Sequence, residues 1–515
     1  MYLNEERNIL FLMRDVNSAR NCSRRDLDSL IKDGLKMKRD GIPRIGGTVT
    51  MTFFEKSTRT HGSFEAAAQQ LGMHVTGFPD PESSSVGKGE TIADTVRMYE
   101  RYRADVLVIR HPLAGAAQAA ADSLDIPVIN AGDSDNGHPT QTELDLMTIQ
   151  EKFGTIDGKK IAMVGDLLYG RTVHSLFQAL EVYDSDVWLV SPDVVKMPQW
   201  RIDDYKRATG REVVITEDLM DAIRNVDVLY MTRVQRERFP DTAEGNSDFI
   251  KSDRAMQTTA KKLREAKPEL IVMHPLPRVN EITRDVDETE HALYFTEVEN
   301  GLFLRAALIN RILNGEEFEG RNLDLGEEPE LRQDLEITNG AKSGRHLIYR
   351  LNNGTLIDHI EEGKGMIVYH LLGLKELKKS GVSVVPPMTI NSKRYGKKDV
   401  IAIHGHQLSP QQSCLLKLAS DRATVNYING GIVKDKFNVV LPNVLEGVLQ
   451  CPRDKDVTNP KYSQHLTSRF YVESRNPLRV RDHFCGTPYG VEEVRKALTA
   501  PLLEKIKANL EKGFL

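Results

Sequence analysis

Four consecutive residues, Ser57, Thr58, Arg59 and Thr60, place three hydroxyls and a guanidinium directly after an apolar run (Val49–Phe54). They also open a helical pattern that includes Ser63–Leu71. A helix start offers unpaired N–H donors and the positive end of the helix dipole, so this arrangement suits a phosphate group. A plain Ser/Thr N-cap would give the same four residues, and for an isolated match that is the commoner outcome. Five more polar clusters follow apolar runs in the same manner: residues 110–116, 130–142, 165–172, 231–235 and 274–278. In open α/β sheets ligands bind beyond the carboxyl ends of the strands. One such cluster is unremarkable, whereas six suggest a site assembled between two sheets.

The elements that must carry these clusters are short and β-branched. Strands are expected at Thr48–Phe54, Asp105–Arg110, Pro127–Ala131, Lys160–Gly165, Asp186–Ser191, Val226–Thr232 and Leu270–His274. Helical patterns lie between them, as at Ser63–Leu71, Thr91–Tyr102, Ala114–Ser123 and Thr172–Val182. Alternation of this kind predicts parallel α/β sheets, enough for two tandem domains parted near residues 140–155. The Glu/Gly/Asn/Arg-rich stretch from Asn314 to Arg345 reads as a linker. Beyond it the pattern is α+β: strands at Ile348–Ile360, Lys398–Ile403 and Ala423–Ile428, a helix at Ser409–Leu418, then a small β unit from Leu441 to Tyr489. The expected division is 1–145, 146–312, a linker over 313–345, 346–440 and 441–515, the last ending in a helix.

Bulk properties narrow the function. With 69 basic against 74 acidic residues the net charge is −5, without the basic stripe that nucleic acid requires. No apolar run reaches the roughly 18 residues needed to span a bilayer, and residues 1–18 make a poor signal peptide because acids precede a short apolar patch. Cys22, Cys414, Cys451 and Cys485 are scattered and form no CxxC pair, which fits a reducing, cytoplasmic setting.

The full string over residues 53–72, FFEKSTRTHGSFEAAAQQLG, resembles the carbamoyl-phosphate signature of the carbamoyltransferases. Ser84–Lys88 with Gly89 and Glu90 resembles the mobile loop that this family lends to a neighbouring subunit's site. Arg110-His111-Pro112, His138-Pro139-Thr140-Gln141 and the segment from Gly165 to His174 continue the resemblance in order. Arg233-Val234-Gln235 and His274-Pro275-Leu276-Pro277-Arg278 resemble the aspartate-type versions of the last two motifs. The likeness covers nearly all of residues 1–312 and points to the aspartate carbamoyltransferase branch. Two departures are His61, where a second Arg is common, and Asn280, where an acid is common.

The resemblance implies a direct attack of the aspartate amine on carbamoyl phosphate, with no nucleophilic side chain and no cofactor. Ser57, Thr58, Arg59, Thr60 and Arg110 would hold the phosphate, joined by Ser84 and Lys88 from an adjacent chain. Thr60, Arg110 and His138 would hold the carbonyl oxygen as it gains charge; losing one such donor typically costs about 2.7–4 kcal/mol of barrier. Gln141 and the carbonyls of Leu276 and Pro277 would hold the carbamoyl nitrogen. Arg171 and Arg233, helped by Gln235 and Lys88, would bind the two aspartate carboxylates, since the guanidinium fork suits a carboxylate. A site shared between chains implies self-association, with a trimer as the expected minimum.

The C-terminal third resembles the family's regulatory chain, through Ile348–Ile360, Gly396–Asp399, Ala423–Asn426 and Val448–Pro452. A nucleotide effector site carried over on that resemblance would use Asp358, His359, Asn426, Ile428 and Lys436. One expected lysine is replaced by Ala402, so a phosphate-bearing effector would lose a charged hydrogen bond of roughly 1.5–3 kcal/mol. Of the four cysteines the family places in its zinc module, Cys451 and Cys485 remain, while Asp456 and Asp482 stand for the others. A structural zinc prefers thiolate and imidazole, so no metal is expected. The rival readings are an ornithine carbamoyltransferase, disfavoured by Pro275 and by two arginines in the amino-acid pocket, and a non-catalytic regulatory scaffold, disfavoured by retention of the whole ligand set.

Overall fold

In the computed structural model the described residues are 15–83, 89–234, 242, 245, 249–250, 254–316, 318–321, 325–337, 351–392 and 394–499. The chain divides into two units, Met1–Leu323 and Asp324–Leu515.

The first unit holds two parallel sheets. One has the order β2-β1-β3-β4, built from β1 (Thr48–Phe53), β2 (His74–Phe78), β3 (Val106–His111) and β4 (Val128–Asp133). The other has the order β7-β6-β5-β8-β9, built from β5 (Lys160–Val164), β6 (Asp186–Val190), β7 (Val214–Thr216), β8 (Val228–Met231) and β9 (Ile271–Met273). The central strands are apolar on both faces because helices cover both sides: β3 is buried along its whole length. Seven strands fall where the sequence placed them. The two it did not indicate, β2 and β7, each lie at one edge of a sheet and are largely exposed, so they carry no apolar run.

Six helices matter for the site: α1 (Arg24–Asp40), α2 (Thr58–Gln70), α3 (Ile92–Arg101), α4 (Ala116–Ala121), α5 (Pro139–Phe153) and α6 (Arg171–Ala179). Helix α1 starts with a reciprocal capping box between Ser23 and Asp26. A 20-residue helix, Tyr294–Leu313, packs against α1, α2 and α5. One apolar core runs through β1, β3, β5, α1, α2, α5, α6 and the Tyr294–Leu313 helix and joins the two sheets. Among the described residues, no helix is long and apolar enough to cross a membrane.

Part of the stretch expected as a linker is built into the folded units. Phe318 is buried in the core of the first unit. The Glu319 and Gly320 amides donate to Asp26, while the Arg321 guanidinium bonds to the Cys22 carbonyl and to Glu181. In the second unit, Arg332–Asp334 forms strand β10. Polar composition hid these segments because backbone and side-chain hydrogen bonds, rather than an apolar stripe, hold most of them.

The second unit contains two antiparallel sheets. The six-stranded sheet has the order β10-β15-β14-β11-β13-β12, with β11 Gly354–Glu361, β12 Val384–Ser392, β13 Gly396–His404, β14 Thr424–Asn429 and β15 Ile432–Val439. Its first long strand begins at Gly354, so residues 351–353 of the expected strand precede it, and 348–350 lie outside the described residues. The four-stranded sheet is a meander of β16 (Val444–Glu446), β17 (Arg469–Arg475), β18 (Leu478–Asp482) and β19 (Pro488–Gly490).

Candidate active site

Three helix starts meet one cavity of about 310 Å³ in the first unit: Ser57 and Thr60 at the start of α2, His138 at the start of α5, and Arg171 with Thr172 at the start of α6. Arg59, Arg110, Gln141, Leu276, Pro277, Glu297 and Arg305 complete most of its wall. Ser57 occupies the N-cap of α2 yet makes no side-chain capping bond. The bland alternative for this motif, a simple cap, is therefore not what the hydroxyl does. Four guanidiniums against one carboxyl group among the lining residues, plus three helix starts, make the cavity an anion receptor.

Arg110, at the end of β3, is 6% exposed. It donates through Nη1 to the Ala131 carbonyl at 3.1 Å and through Nη2 to Glu55 Oε1 at 3.1 Å. Arg171 reaches the same carboxylate, to Oε2 and Oε1 at 3.3 Å each, and also donates to the Ser134 carbonyl at 3.0 Å. Burial and the neighbouring Arg171 bring Arg110 down to about 10. Burial works against the charge of Glu55, but Arg171 and Arg110 outweigh it and hold that carboxyl below its ordinary range. The two arginines can approach because residue 132 is glycine: at φ 116° a Cβ there would sit 3.1 Å from Arg110 Nη1 and 3.4 Å from Arg171 Cζ.

His138 caps α5 and is 4% exposed. Its amide donates to Ser175 Oγ at 2.8 Å, and its Nε2 lies 3.3 Å from Thr60 Oγ1. Burial, then Arg110, Arg171 and Arg305, push its pKa well below the usual histidine value, so the ring is neutral. The loop that presents it is pinned by Asp133, which accepts from the Gly115 and Gly137 amides and from Asn130 and Asn136. On the opposite wall, His274 Nδ1 accepts from the Leu276 amide at 2.7 Å and Nε2 meets Glu281 Oε1 at 2.7 Å. With Nδ1 accepting, the ring proton is on Nε2 and is donated to Glu281. Glu281 also accepts from the Val279 and Asn280 amides, so the acid that fastens this turn is the residue after Asn280.

The structure thus brings Ser57, Arg59, Thr60, Arg110, His138, Gln141, Arg171, Leu276 and Pro277 to one cavity. Thr58 is exposed and is not among the lining residues. Arg233 is half-buried beyond the end of β8 and is likewise absent from the lining. Ser84, Lys88 and Gln235 lie outside the described residues. Glu55, Glu297 and Arg305 were not indicated by the sequence. Arg305 is 4% exposed, donates to Ser63 Oγ at 2.8 Å, and is brought down to about 10 by burial.

In the second unit, the candidate effector residues gather on one sheet face. Register pairs Leu356 with Ala402 and Asn426, and Asn426 with Lys436, so these share a face with Asp358 and Ile428. The opposite face carries Ile357, Ile401, Ile403, Val425 and Phe437 into the core beneath the helices. His359 stands at φ 60° and its Nδ1 lies 3.1 Å from Thr424 Oγ1. The Asp358 carboxylate accepts from Lys398 Nζ at 2.8 Å, and Ala402 is 2% exposed.

Cys451, Asp456, Asp482 and Cys485 are all buried, and one ligand atom from each lies within 4.8 Å of the others. The two sulfurs are 3.8 Å apart, which matches the edge of a tetrahedron with zinc–sulfur bonds of roughly 2.3 Å. Asp456 Oδ1 accepts from the Thr458 amide at 2.9 Å, and Asp482 Oδ1 from the Phe484 and Cys485 amides at 2.8 and 2.9 Å. The Oδ2 atom of each aspartate is buried without a hydrogen-bond partner. Burial and then Asp456 push Asp482 up to about 7. The residues therefore fit a cation: the donor atoms converge, and two buried carboxylate oxygens lack any other partner.

Comparison with known proteins agrees with this geometry. Residues 14–151 match the family described as aspartate/ornithine carbamoyltransferase, carbamoyl-P binding domain, and residues 157–312 match its Asp/Orn binding domain. Residues 346–440 and 443–495 match the allosteric and metal binding domains of the aspartate carbamoyltransferase regulatory chain. The chain belongs to the aspartate/ornithine carbamoyltransferase family. Its relatives include the aspartate carbamoyltransferase catalytic subunit of Thermococcus gammatolerans, which is 48% identical over 58% of this chain and 97% of that protein. That of Methanopyrus kandleri is 45% identical over 59% and 99%. Among solved structures, aspartate transcarbamoylase from Trypanosoma cruzi in complex with carbamoyl phosphate aligns with a TM-score of 0.55 at 38% identity, over 58% of this chain and 96% of that one. The catalytic subunit from M. Jannaschii aligns with a TM-score of 0.55 at 38% identity, over 59% and 99%. In this chain, catalytic-type and regulatory-type domains share a single polypeptide.

Proposed function

We propose that this chain is an aspartate carbamoyltransferase that joins the amine of L-aspartate to the carbamoyl group of carbamoyl phosphate and releases phosphate. The observation that carries this reading is the cavity at which three helix starts and four guanidiniums meet a neutral histidine. Ser57, Arg59, Thr60 and Arg110 hold the phosphate. Thr60, Arg110 and His138 stabilise the carbonyl oxygen as charge builds on it; neutral His138 does so by donating a hydrogen bond, not by a full charge. Gln141 with the Leu276 and Pro277 carbonyls holds the carbamoyl nitrogen, and Arg171 with Arg233 and Gln235 takes the aspartate carboxylates. Alignment of the two substrates supplies roughly 7–11 kcal/mol, more than any single proton transfer.

Ser84 and Lys88 from a neighbouring copy complete the site, in a trimer or a multiple of one. The shared sheet face bearing Asp358, His359, Asn426, Ile428 and Lys436 receives a nucleotide effector, weakened by Ala402. Donor type alone argued against a metal in the small β domain; the convergence of four buried donors supports one. Cys451, Asp456, Asp482 and Cys485 would hold a divalent ion that fastens the loops around β17 and β18 and takes no part in the reaction.

The test is product formation from carbamoyl phosphate with aspartate and with ornithine as separate acceptors, adding ATP and CTP in turn. Turnover with aspartate alone supports the reading. Turnover with ornithine reassigns the amino-acid pocket, and turnover with neither acceptor puts the scaffold reading first. A flat nucleotide response removes the effector.

A further inference from the structure

Gln141 and two carboxyl groups, Asp145 and Glu297, form a buried cluster at the cavity wall, and the two carboxyl groups have no part in the proposed transfer chemistry. Gln141 Nε2 donates at 2.9 Å to Asp145 Oδ1, one turn further along α5, and at 3.0 Å to Glu297 Oε1 on the Tyr294–Leu313 helix. An amide nitrogen carries two hydrogens, so both are committed. Glu297 cannot swing away, because its Oε2 accepts from the His274 amide at 2.8 Å. The reverse amide orientation would set the carbonyl oxygen against two carboxyl groups and forfeit both N–H donations. All three residues are buried: Gln141 is 9% exposed, Asp145 0% and Glu297 1%.

We infer that Asp145 and Glu297 are positioning residues that lock the Gln141 amide with its carbonyl oxygen toward the cavity, so that the site selects an acyl phosphate bearing an N–H donor next to its carbonyl. This rests on the carbamoyl-transfer reading and sharpens it: the amino group of carbamoyl phosphate is recognised, and a methyl group in its place is rejected. A buried acceptor left without a donor is costly, which is how polar sites discriminate against analogues that lack one hydrogen-bonding group. The two carboxyl groups adjoin: burial and then the Asp145 charge raise Glu297 well above its usual value, while burial raises Asp145 to about 7 against the hydrogen bonds from Gln141, Tyr230 and Glu297, so one proton is shared between the two carboxyl groups. A shared proton allows both to stay buried while each still accepts from Gln141.

The experiment compares carbamoyl phosphate with acetyl phosphate, which keeps the phosphate and carbonyl but carries a methyl for the amine. Affinity for each is read on the full chain from protection against thermal unfolding, and turnover with aspartate is measured in parallel. The wild-type chain should favour carbamoyl phosphate. Asp145→Ala and Glu297→Ala, which sit on different helices, each free one amide hydrogen and should reduce the preference about tenfold to a hundredfold. Asp145→Asn, whose carbonyl can still accept from Gln141, should keep it. If the alanine variants lose affinity for both donors equally, or if Asp145→Asn loses the preference as fully as Asp145→Ala, the inference is overturned. A wild-type chain that binds with the stated preference but does not carbamoylate aspartate would sink the functional proposal and leave this one standing.

Discussion

Replacing Arg110 by Met separates positioning from charge stabilisation at one side chain. Two bonds are lost, to the Ala131 carbonyl and to Glu55, each 3.1 Å long. The carbonyl of a buried strand residue left unpaired costs about 1–3 kcal/mol of stability. Glu55 retains Arg171, so its charge is not abandoned. The catalytic loss is separate: one oxyanion donor removed in a buried site corresponds to about 2.7–4 kcal/mol, or about a hundredfold to a thousandfold in kcat. On the proposed assignment Ser57, Arg59 and Thr60 also hold the phosphate, so KM for carbamoyl phosphate should rise less than kcat falls. The assay is steady-state turnover with both substrates varied, alongside urea unfolding. A variant whose KM rises with kcat preserved would refute the reasoning, because it would make Arg110 a uniform binding group instead of a stabiliser of developing charge.

Thr58→Ala should leave kcat and KM within about twofold, since an exposed side chain away from the cavity loses no substrate bond; a loss comparable to that of Arg110→Met would place Thr58 in the site. Glu143 is 1% exposed and burial raises it from 4.5 to about 8. The stability linked to its proton is full below about pH 4.5 and is lost as pH rises through about 8, a fall of roughly 4–5 kcal/mol. Glu143→Gln should flatten that decline in calorimetric scans between pH 5 and 9, and parallel profiles for the two proteins would exclude it. The purified chain should contain about one equivalent of divalent metal, a content that Asp482→Ala removes together with thermal stability of the second unit; metal-free protein whose melting is insensitive to chelator would return the site to a proton-bonded cluster.

The sequence exposes what chemistry and burial make locally repetitive. Central strands such as β3 and β5 are legible because they are apolar on both faces. Edge strands β2 and β7 are not, and β12, interrupted by Pro386 and Pro387 at an irregular register, resembles no uniform strand. The cavity residues announce themselves where polar clusters follow strands. Glu297 and Arg305 do not, because they sit inside an otherwise apolar helix more than a hundred residues from the phosphate motif. Glu55 lies within that motif, yet its role as the carboxylate between Arg110 and Arg171 depends on a contact with residue 171 that no local spacing encodes. Arg233 shows the converse: the motif points to it, and it is not among the described residues of the cavity wall.

The joining of both units in one polypeptide also fixes composition. A separate effector-binding chain would associate by mass action and could be stripped away by dilution. Here every catalytic unit has its companion at a local concentration set by chain length alone. The ratio of the two is one to one in any assembly, whatever the expression level or degree of dilution.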